Sequence, residues 1–322
     1  MNTILVTGGA GFIGSAIAAQ LAARGDRVIV LDKLTYAGHP QNLVGIDCQL
    51  VEGDIRNEKL LAQLFATHHF DAVVHAAAES HVDNSISGSA AFIDTNVVGT
   101  HRLLEAARIA KTPRFLHVST DEVYGALGEE GVFTTASPIQ PNSPYAASKA
   151  ASDLLVSSWF KTYGMPVIIT RCCNNYGPRQ HPEKLIPRMV TNALKGEKLP
   201  VYGDGRQVRE WIHVDDHARG VIAALNRGTP GEVYHLGSGE ERRNIEIVEL
   251  LCDTLGNDAR GLITHVEDRP GHDFRYALDV SATEKQIGFT PSVAFDDGIA
   301  ATVHWYRDNP QWVATMLLWA GK

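Results

Sequence analysis

The sequence has little cysteine, and its cysteines have no spacing typical of a bound metal or of a disulfide framework. Four occur in 322 residues, at Cys48, Cys172, Cys173 and Cys252. None of them forms a C-x-x-C pair, and adjacent cysteines rarely bond to each other. We therefore predict neither disulfides nor a zinc site, and a reducing cytoplasm is the compartment that fits best.

Long apolar runs and one-sided charge are also missing. No stretch of about 20 consecutive apolar residues occurs, which is the length that a membrane helix needs. The segment from Met1 to Gly8 lacks the charged region and cleavage site of a secretory leader. Lys and Arg number 29 against 37 Asp and Glu, which gives a net charge of -8 without a basic stripe. Neither a membrane nor a nucleic acid is therefore predicted as a partner.

The chain does contain short β-rich segments that alternate with segments of helical period. Five such strands are predicted to begin near Thr3, Arg27, Asp71, Phe115 and Pro166. Helices of ten or more residues separate most of them, and this alternation is typical of βαβ units on a parallel sheet. We predict an α/β protein with a Rossmann-type, doubly wound parallel sheet.

The pattern changes near Arg171. Turn-rich stretches at residues 202–205 and 268–271 then separate shorter elements, with helices predicted at Asp215–Asn226 and Asn244–Leu255. We predict a Rossmann domain over residues 1–171. Residues 172–322 would form mainly a smaller substrate-binding lobe, with some segments returning to the first domain.

A glycine-rich turn follows the first predicted strand. Gly8, Gly11 and Gly14 have G-x-x-G-x-x-G spacing at the start of a predicted helix, where backbone amides can bind a pyrophosphate. The second strand ends at Asp32, whose carboxylate could accept hydrogen bonds from a ribose diol and would repel a 2′-phosphate. The turn predicts NAD rather than NADP, although Lys33 lies beside Asp32. An ordinary βαβ turn with a helix-capping acid is the alternative.

Two further motifs carry groups suited to acid–base chemistry. Tyr145 and Lys149 form Y-x-x-x-K on one face of a predicted helix, where the ammonium could lower the pKa of the phenol. Ser119-Thr120-Asp121-Glu122 ends a predicted strand, and both carboxyls can reach one substrate only if the strand has ended there. Such a pair can divide acid and base roles. The alternatives are an exposed Tyr/Lys pair and a hydroxyl that caps a helix.

These motifs together resemble the extended short-chain dehydrogenases/reductases, and within them the dTDP-glucose 4,6-dehydratases. The resemblance covers nearly the whole chain. Its motifs are Thr7–Gly14, Asp32–Gly38, Ala77–Asp83, Ser119–Gly125, Ser143–Lys149, Asn174–Pro178, Pro182–Pro187, Arg209–Trp211 and Asp268–Asp273. The implied reaction is NAD-mediated oxidation at C4, loss of water across C5–C6 and hydride return to C6, which makes the enzyme a lyase.

The resemblance also implies a role for each motif residue. Thr120 would hold the sugar O4, Tyr145 would take the proton from that hydroxyl, and Lys149 would support Tyr145. Asp121 would protonate the departing C6 hydroxyl, and Glu122 would remove the C5 proton. The implied NAD contacts are Gly8, Gly11, Phe12, Ile13, Gly14, Asp32, Lys33, Leu34, Thr35, Asp54, Ile55, Ala76, Ala77, Ala78, Glu79, Ser80, Thr95, Tyr145, Lys149 and Asn175. The implied substrate contacts are Ser80, Thr120, Asn174, Lys184, Leu185, Pro200, Val201, Tyr202, Arg209, Asn244, Asp268, Arg269, Pro270, Gly271 and His272.

A homodimer is implied as well, built from helices at Thr100–Lys111 and Tyr145–Tyr163 of each copy. Other readings stay open. Another nucleotide (UDP, CDP or GDP) could carry the sugar, because thymine and uracil differ by one methyl group. A nucleotide-sugar 4-epimerase would use the same NAD and tyrosine but would need no acid–base pair at positions 121 and 122. A catalytically silent binding protein is the third reading, and the intact motif residues argue against it.

Overall fold

A parallel sheet of seven strands forms the centre of the computed structural model, which describes residues 1–256 and 258–319. Residues 257 and 320–322 of the predicted second lobe lie outside the described residues. The strands are β1 (Thr3–Thr7), β2 (Arg27–Asp32), β3 (Cys48–Glu52), β4 (Ala72–His75), β5 (Phe115–Thr120), β6 (Val167–Cys172), β7 (Asn174–Tyr176), β8 (Leu199–Tyr202), β9 (Val208–His213), β10 (Val233–Leu236), β11 (Glu241–Arg243) and β12 (Ile263–Val266).

The helices lie on both faces of this sheet and in a second lobe. They are α1 (Phe12–Ala23), α2 (Glu58–Thr67), α3 (Val82–Ser87), α4 (Ala90–Phe92), α5 (Thr100–Ile109), α6 (Pro144–Tyr163), α7 (Leu185–Lys195), α8 (Val214–Arg227), α9 (Asn244–Leu255), α10 (Ser281–Ile287), α11 (Phe295–Asp308) and α12 (Pro310–Trp319). Three 3-10 turns, Pro40–Leu43, Asp121–Tyr124 and Asp258–Leu262, and a π-helical stretch, Ile93–Gly99, complete the described elements.

The strand order of the large sheet is β10-β6-β5-β4-β1-β2-β3, and every pair in it is parallel. The chain winds from β1 through β2 to β3 on one side and then starts again at β4 on the other. This confirms the predicted doubly wound sheet. Ligands bind such sheets at the carboxyl ends of the strands, where the winding reverses.

Apolar layers cover the sheet on both faces, which explains why its central strands are almost continuously hydrophobic. Ile17 and Leu21 of α1 pack with Val221 of α8 on one face. Leu104 of α5 and Val156 of α6 belong to the core on the other face. The helices therefore fix the strand ends from both sides.

The second lobe has its own core and two small sheets, β11-β9-β7 and β12-β8. Ile186 of α7, Ile247 of α9, Ile299 of α11 and Trp312 of α12 meet in this core. The chain returns to the large sheet between these parts, because β10 pairs with β6. Among the described residues, no helix combines the length and apolar character needed to cross a membrane.

Candidate active site

A cavity opens at the carboxyl ends of β1, β2, β4, β5 and β6. The five predicted catalytic residues all line it. So do the predicted cofactor residues Gly8, Gly11, Phe12, Ile13, Gly14, Asp32, Lys33, Thr35, Asp54, Ile55, Ala76, Ala77, Ala78, Glu79, Ser80, Thr95, Tyr145, Lys149 and Asn175. Leu34 is the exception, because its side chain packs against the core and its backbone N–H donates to Asp32.

The glycine-rich turn has no room for side chains at its closest points. Gly8 has a φ of 69°, and a Cβ there would lie 2.6 Å from the Cα of Ala77. A Cβ on Gly14 would lie 2.1 Å from the carbonyl oxygen of Gly8. The helix α1 starts directly after the turn, and no described side chain caps its first turn. The turn is a cradle of backbone amides at a helix N-terminus, which suits a phosphate group.

Asp32 is fixed at the end of β2 by two backbone amides. Its Oδ2 accepts from Ala10 N at 2.9 Å, and its Oδ1 accepts from Leu34 N at 2.8 Å. Burial raises the pKa of Asp32, and these hydrogen bonds act in the opposite direction. The Lys33 ammonium lies 3.1 Å from Asp54 Oδ2. Its charge is therefore paired rather than available to a 2′-phosphate.

The strand β5 ends at Thr120, and a 3-10 turn follows over Asp121–Tyr124. Asp121 and Glu122 are thus released from the alternation of a strand, and both side chains reach the cavity. Thr120 Oγ1 accepts from Glu122 N at 3.3 Å and donates to Asp121 Oδ1 at 3.2 Å. Thr120 therefore caps the turn and also faces the cavity, so the two readings of this motif are compatible.

The two neighbouring carboxyls differ in their surroundings. Burial raises the pKa of Asp121 well above its ordinary value, and the charge of Glu122 adds to that rise. Burial also raises the pKa of Glu122, but the positive charges of Arg269 and Arg209 act against this rise. The arrangement favours a protonated Asp121 beside a more acidic Glu122.

Tyr145 and Lys149 are both buried at the cavity. In the chain alone, burial, followed by the charge of Glu122, raises the pKa of Tyr145 well above its usual value. The Lys149 ammonium donates to the carbonyl of Val118 at 2.8 Å. Burial lowers the pKa of Lys149 to about 8. The nearby Thr120 hydroxyl acts against burial and lowers the pKa of Tyr145.

The predicted substrate residues fall into two groups. Ser80, Thr120, Asn174 and Lys184 line the cavity, and Lys184 Nζ donates to the carbonyl of Ser80 at 3.1 Å. The others lie outside the cavity wall: Leu185, Pro200, Val201, Tyr202, Arg209, Asn244, Asp268, Arg269, Pro270, Gly271 and His272.

Arg269 and Arg209 differ in how they use their guanidinium groups. Arg269 Nη1 lies 3.1 Å from Asp83 Oδ1, and the Tyr202 hydroxyl donates to the other oxygen of Asp83 at 3.1 Å. These contacts join the two lobes. Arg209 is buried, donates to the carbonyls of Val208 and Asp273 at 2.7 and 2.9 Å, and packs on the ring of Tyr276. Its guanidinium group is therefore partly engaged by backbone carbonyls.

The cavity wall contains residues that the sequence analysis did not assign: Leu31, Ala37, Gly38, Gly53, Val118, Ser119, Cys172, Cys173, Gln180, His181 and Glu183. Gly38 leaves room for the Asp32 carboxylate, since a Cβ there would lie 2.6 Å from Asp32 Oδ1. His181 and Glu183 come from the loop before α7, and only the folded chain reveals that this loop reaches the cleft.

Comparisons with known proteins agree with this geometry. The family model for GDP-mannose 4,6 dehydratase matches residues 5–302. A dTDP-glucose 4,6-dehydratase of Xanthomonas campestris is 51% identical over 98% of this chain and 96% of its own. The crystal structure of the dTDP-glucose 4,6-dehydratase DesIV from Streptomyces venezuelae, which has NAD bound, is 52% identical. It covers 98% of this chain and 99% of its own, with a TM-score of 0.94. UDP-glucose 4-epimerase of Thermotoga maritima shares the fold at a TM-score of 0.91 and 30% identity, over 96% of this chain and 99% of its own. The fold alone therefore does not distinguish dehydratases from epimerases. The family model spans nearly the whole chain, and the chain belongs to the GDP-mannose 4,6 dehydratase family.

Proposed function

We propose that this chain is an NAD-dependent dTDP-glucose 4,6-dehydratase, a hydro-lyase that forms dTDP-4-keto-6-deoxyglucose. The observation that carries the proposal is the meeting of two groups of residues in one cavity. Thr120, Asp121 and Glu122 at the end of β5 face the same space as Tyr145 and Lys149 of α6. The identity of 51–52% to dTDP-glucose 4,6-dehydratases supports this choice of sugar nucleotide.

NAD fits the cleft because the glycine cradle and Asp32 match its parts. The absence of side chains at Gly8 and Gly14 lets the turn pack closely at the start of α1, where its backbone amides can face the pyrophosphate, and Asp32 can accept hydrogen bonds from the adenosine ribose. Bound NAD would accept a hydride from C4, return it to C6, and bring a positive charge that opposes the carboxylates around Tyr145. The NAD contacts proposed above would hold it.

The chain's own residues would move the protons of the oxidation step. Tyr145 would take the proton of the C4 hydroxyl, which the Thr120 hydroxyl orients. Lys149 would hold its positive charge beneath this pair from its position on the cavity wall. Because Tyr145 is buried near carboxylates, its deprotonation is unfavourable until a positive charge is present in the site.

The elimination would use the two carboxyls in opposite roles. Asp121, whose pKa is raised by burial and by the charge of Glu122, would protonate the C6 oxygen as the C6–O bond breaks. Glu122, with Arg269 and Arg209 favouring its ionised form, would accept the C5 proton. One water leaves. As the hydride returns to C6, Glu122 would give a solvent-exchanged proton back to C5, and the proton taken up by Tyr145 would leave through solvent while Asp121 regains one, so that every group is reset. Arg269 and Lys184 would offset the charge of the substrate diphosphate, and Tyr202 would flank the base.

We further propose a cytoplasmic homodimer in which residues 1–171 mainly bind NAD and the rest mainly binds substrate. Exposed apolar side chains on the two helices support the dimer: Ile109 ends α5 with 71% of its surface exposed, and Leu154 of α6 is 59% exposed. A cytoplasmic location fits the free cysteines, which are mostly buried.

Tracing the hydrogen atoms tests the proposed reaction. With dTDP-glucose deuterated at C4, the product should carry deuterium at C6, and unlabelled substrate in heavy water should gain deuterium at C5. Purified protein is incubated with substrate, and the product is analysed by NMR and mass spectrometry. UDP-, CDP- and GDP-glucose serve as competing substrates for the nucleotide choice.

Two outcomes would contradict the proposal. Deuterium retained at C4 of a product with an inverted hydroxyl would identify a 4-epimerase. Absence of turnover with all four nucleotide sugars, in protein that binds NAD, would identify a silent binding protein.

A further inference from the structure

A buried cluster of charged side chains lies behind Lys149, on the side away from the cavity. We call Lys149, Asp153, His117 and Arg171 the support cluster. All four are buried, and Asp153 follows Lys149 by one turn of α6. The proposed reaction uses only Lys149 of these four, so the burial of three further polar groups there needs an explanation.

The two oxygens of Asp153 have different partners. Oδ2 accepts from Arg171 Nε at 2.8 Å. Oδ1 lies 3.5 Å from His117 Nε2, and no described residue donates a hydrogen bond to it. The same His117 nitrogen lies 3.4 Å from Lys149 Nζ. One imidazole nitrogen therefore lies between the ammonium and the free oxygen of the carboxylate.

The charges of the cluster are unbalanced without Asp153. Arg171 is always protonated in a protein, and Lys149 is a second buried cation. Burial lowers the pKa of His117 well below its ordinary value, so His117 is neutral. Asp153 is the carboxylate that offsets both cations, and an unpaired buried charge is costly. Arg171 also donates to the Tyr124 hydroxyl at 2.6 Å, which holds it in place.

We propose that Asp153 is a positioning residue for the reaction: through its free oxygen and the His117 imidazole, it keeps the Lys149 ammonium protonated and fixed at the cavity wall. The catalytic use of Lys149 in this inference rests on the proposed function. The effect of Asp153 on Lys149 does not, because that effect is a property of the folded chain alone.

Other ionisable groups lie on the strands and the 3-10 turn near Lys149 and on α6 itself. They are His75 on β4, His117 on β5, Arg171 and Cys172 on β6, Asp121, Glu122 and Tyr124 in the 3-10 turn, and Tyr145 on α6 itself. Burial raises the pKa of Cys172 to about 12 and lowers the pKa of His75 to about 3, so both are neutral at pH 7. Glu105 lies toward the other end of α6, where it accepts from Trp159 and Arg108.

The test measures the titration of Lys149 in the folded protein. Lysine labelled with carbon-13 at Cε is followed by NMR against pH, and Lys149→Arg assigns the signal by its loss. In the native chain the pKa should be about 8. Asp153→Asn should lower it by about one unit or more, because the ammonium loses its favourable charge. Asp153→Glu should restore most of the shift. Ser152→Ala, the neighbouring buried polar residue, should leave it unchanged.

Activity gives a second readout. If the protein has the proposed activity, the alkaline limb of kcat should move to lower pH in Asp153→Asn by the same shift, so the loss is about tenfold greater at pH 8.5 than at pH 6.5. A structural defect alone would lower kcat equally at both values and leave the limb in place.

His117→Phe keeps the Asp153–Arg171 pair and covers the case in which Asp153→Asn does not fold. It removes the nitrogen between the two charges, so the Lys149 pKa should fall, although by less. An unchanged Lys149 titration in whichever of these variants folds would overturn the proposal. A shifted titration in a protein without any turnover would instead overturn the proposed function and leave the role of Asp153 standing.

Discussion

At the residue scale, two side chains of the same type can have different chemical roles because their surroundings differ. Asp32 and Asp121 are both carboxyls at strand ends lining one cavity. Asp32 receives two backbone N–H groups, which stabilise its charge and suit it to accept from hydroxyls. Burial and a carboxyl neighbour raise the pKa of Asp121 well above the ordinary value, and a single hydroxyl opposes this rise. The same side chain is thus a fixed acceptor in one place and an acid in the other.

The proposed roles of Tyr145 and Glu122 are separable by single substitutions. Tyr145→Phe should slow oxidation by about 10²–10⁴-fold, because no base takes the C4 hydroxyl proton. Glu122→Gln should oxidise C4 at nearly the native rate and then stall before water is lost. Single-turnover absorbance of the reduced nicotinamide should therefore stay flat in the first variant and rise without decay in the second.

Glu129→Gln is the matched control for this experiment, since Glu129 is an exposed carboxylate in the nearby loop. It should follow the native time course. Equal loss of the absorbance rise in Tyr145→Phe and Glu122→Gln would mean that the two roles are misassigned.

At the element scale, local sequence patterns located the glycine turn and the catalytic strand end. The strand predicted to begin at Phe115 ends at Thr120, and the turn after it brings Asp121 and Glu122 to one cavity. These features depend on residues close in the chain: a strand, its end, and a helix start. Periodicity and turn residues report such features directly.

Features that depend on distant pairing were not predictable. Nothing in the four residues of β10 specifies that they pair with β6 rather than with a strand of the second lobe. Packing between elements directs Lys149 toward the Val118 carbonyl and places Arg209 against backbone carbonyls. Side-chain spacing on one helix gives a shared face, but it does not give the partner across the core.

The exposed side chains of α5 and α6 limit which residues the proposed dimer contact can use. Leu103, Leu104 and Ala107 of α5 are fully buried in the core of their own chain, so they are not available to a partner. Leu154 remains exposed on α6, and Ile109 and Tyr163 remain exposed at the ends of the two helices. These side chains, rather than the two helices as a whole, are what a second copy would cover.

Leu154→Glu should therefore convert the dimer to a monomer. Burying a carboxylate in an apolar contact costs several kcal/mol. Since about 1.4 kcal/mol corresponds to a tenfold loss of affinity, this cost should weaken the proposed dimer by more than tenfold. Sedimentation velocity at micromolar concentration measures the change. Lys161→Glu alters an exposed charge on the same helix and should leave the dimer intact. A native chain that sediments as a monomer would remove the proposed contact.

At the scale of the whole molecule, the last described helix ties the second lobe back to the cofactor turn. Trp312 of α12 donates its indole N–H to Asn42 Oδ1 at 3.0 Å. The amide nitrogen of Asn42 donates to the carbonyl of Ala10 at 2.9 Å, inside the glycine-rich turn. Trp319 donates to the carbonyl of Thr35, another cavity residue. A segment 270 positions from Asn42 in sequence thus supports the shape of the turn.

Trp312→Phe should weaken NAD binding although Trp312 does not line the cavity. The phenyl ring retains most of the packing in the second core, but it leaves Asn42 Oδ1 buried without a donor, which costs about 1–3 kcal/mol. Because Asn42 is bound to Ala10, we expect part of that cost to reach the turn and raise the Kd for NAD about tenfold, equivalent to about 1.4 kcal/mol. Isothermal titration of NAD-free protein measures the Kd, and thermal unfolding measures stability.

Trp305→Phe is the control, since Trp305 packs against Trp312 with ring centroids 4.9 Å apart and lies on α11. It should lower the Tm without changing the Kd. Equal Kd values for the native chain and Trp312→Phe, with a lowered Tm, would confine the role of α12 to the second lobe.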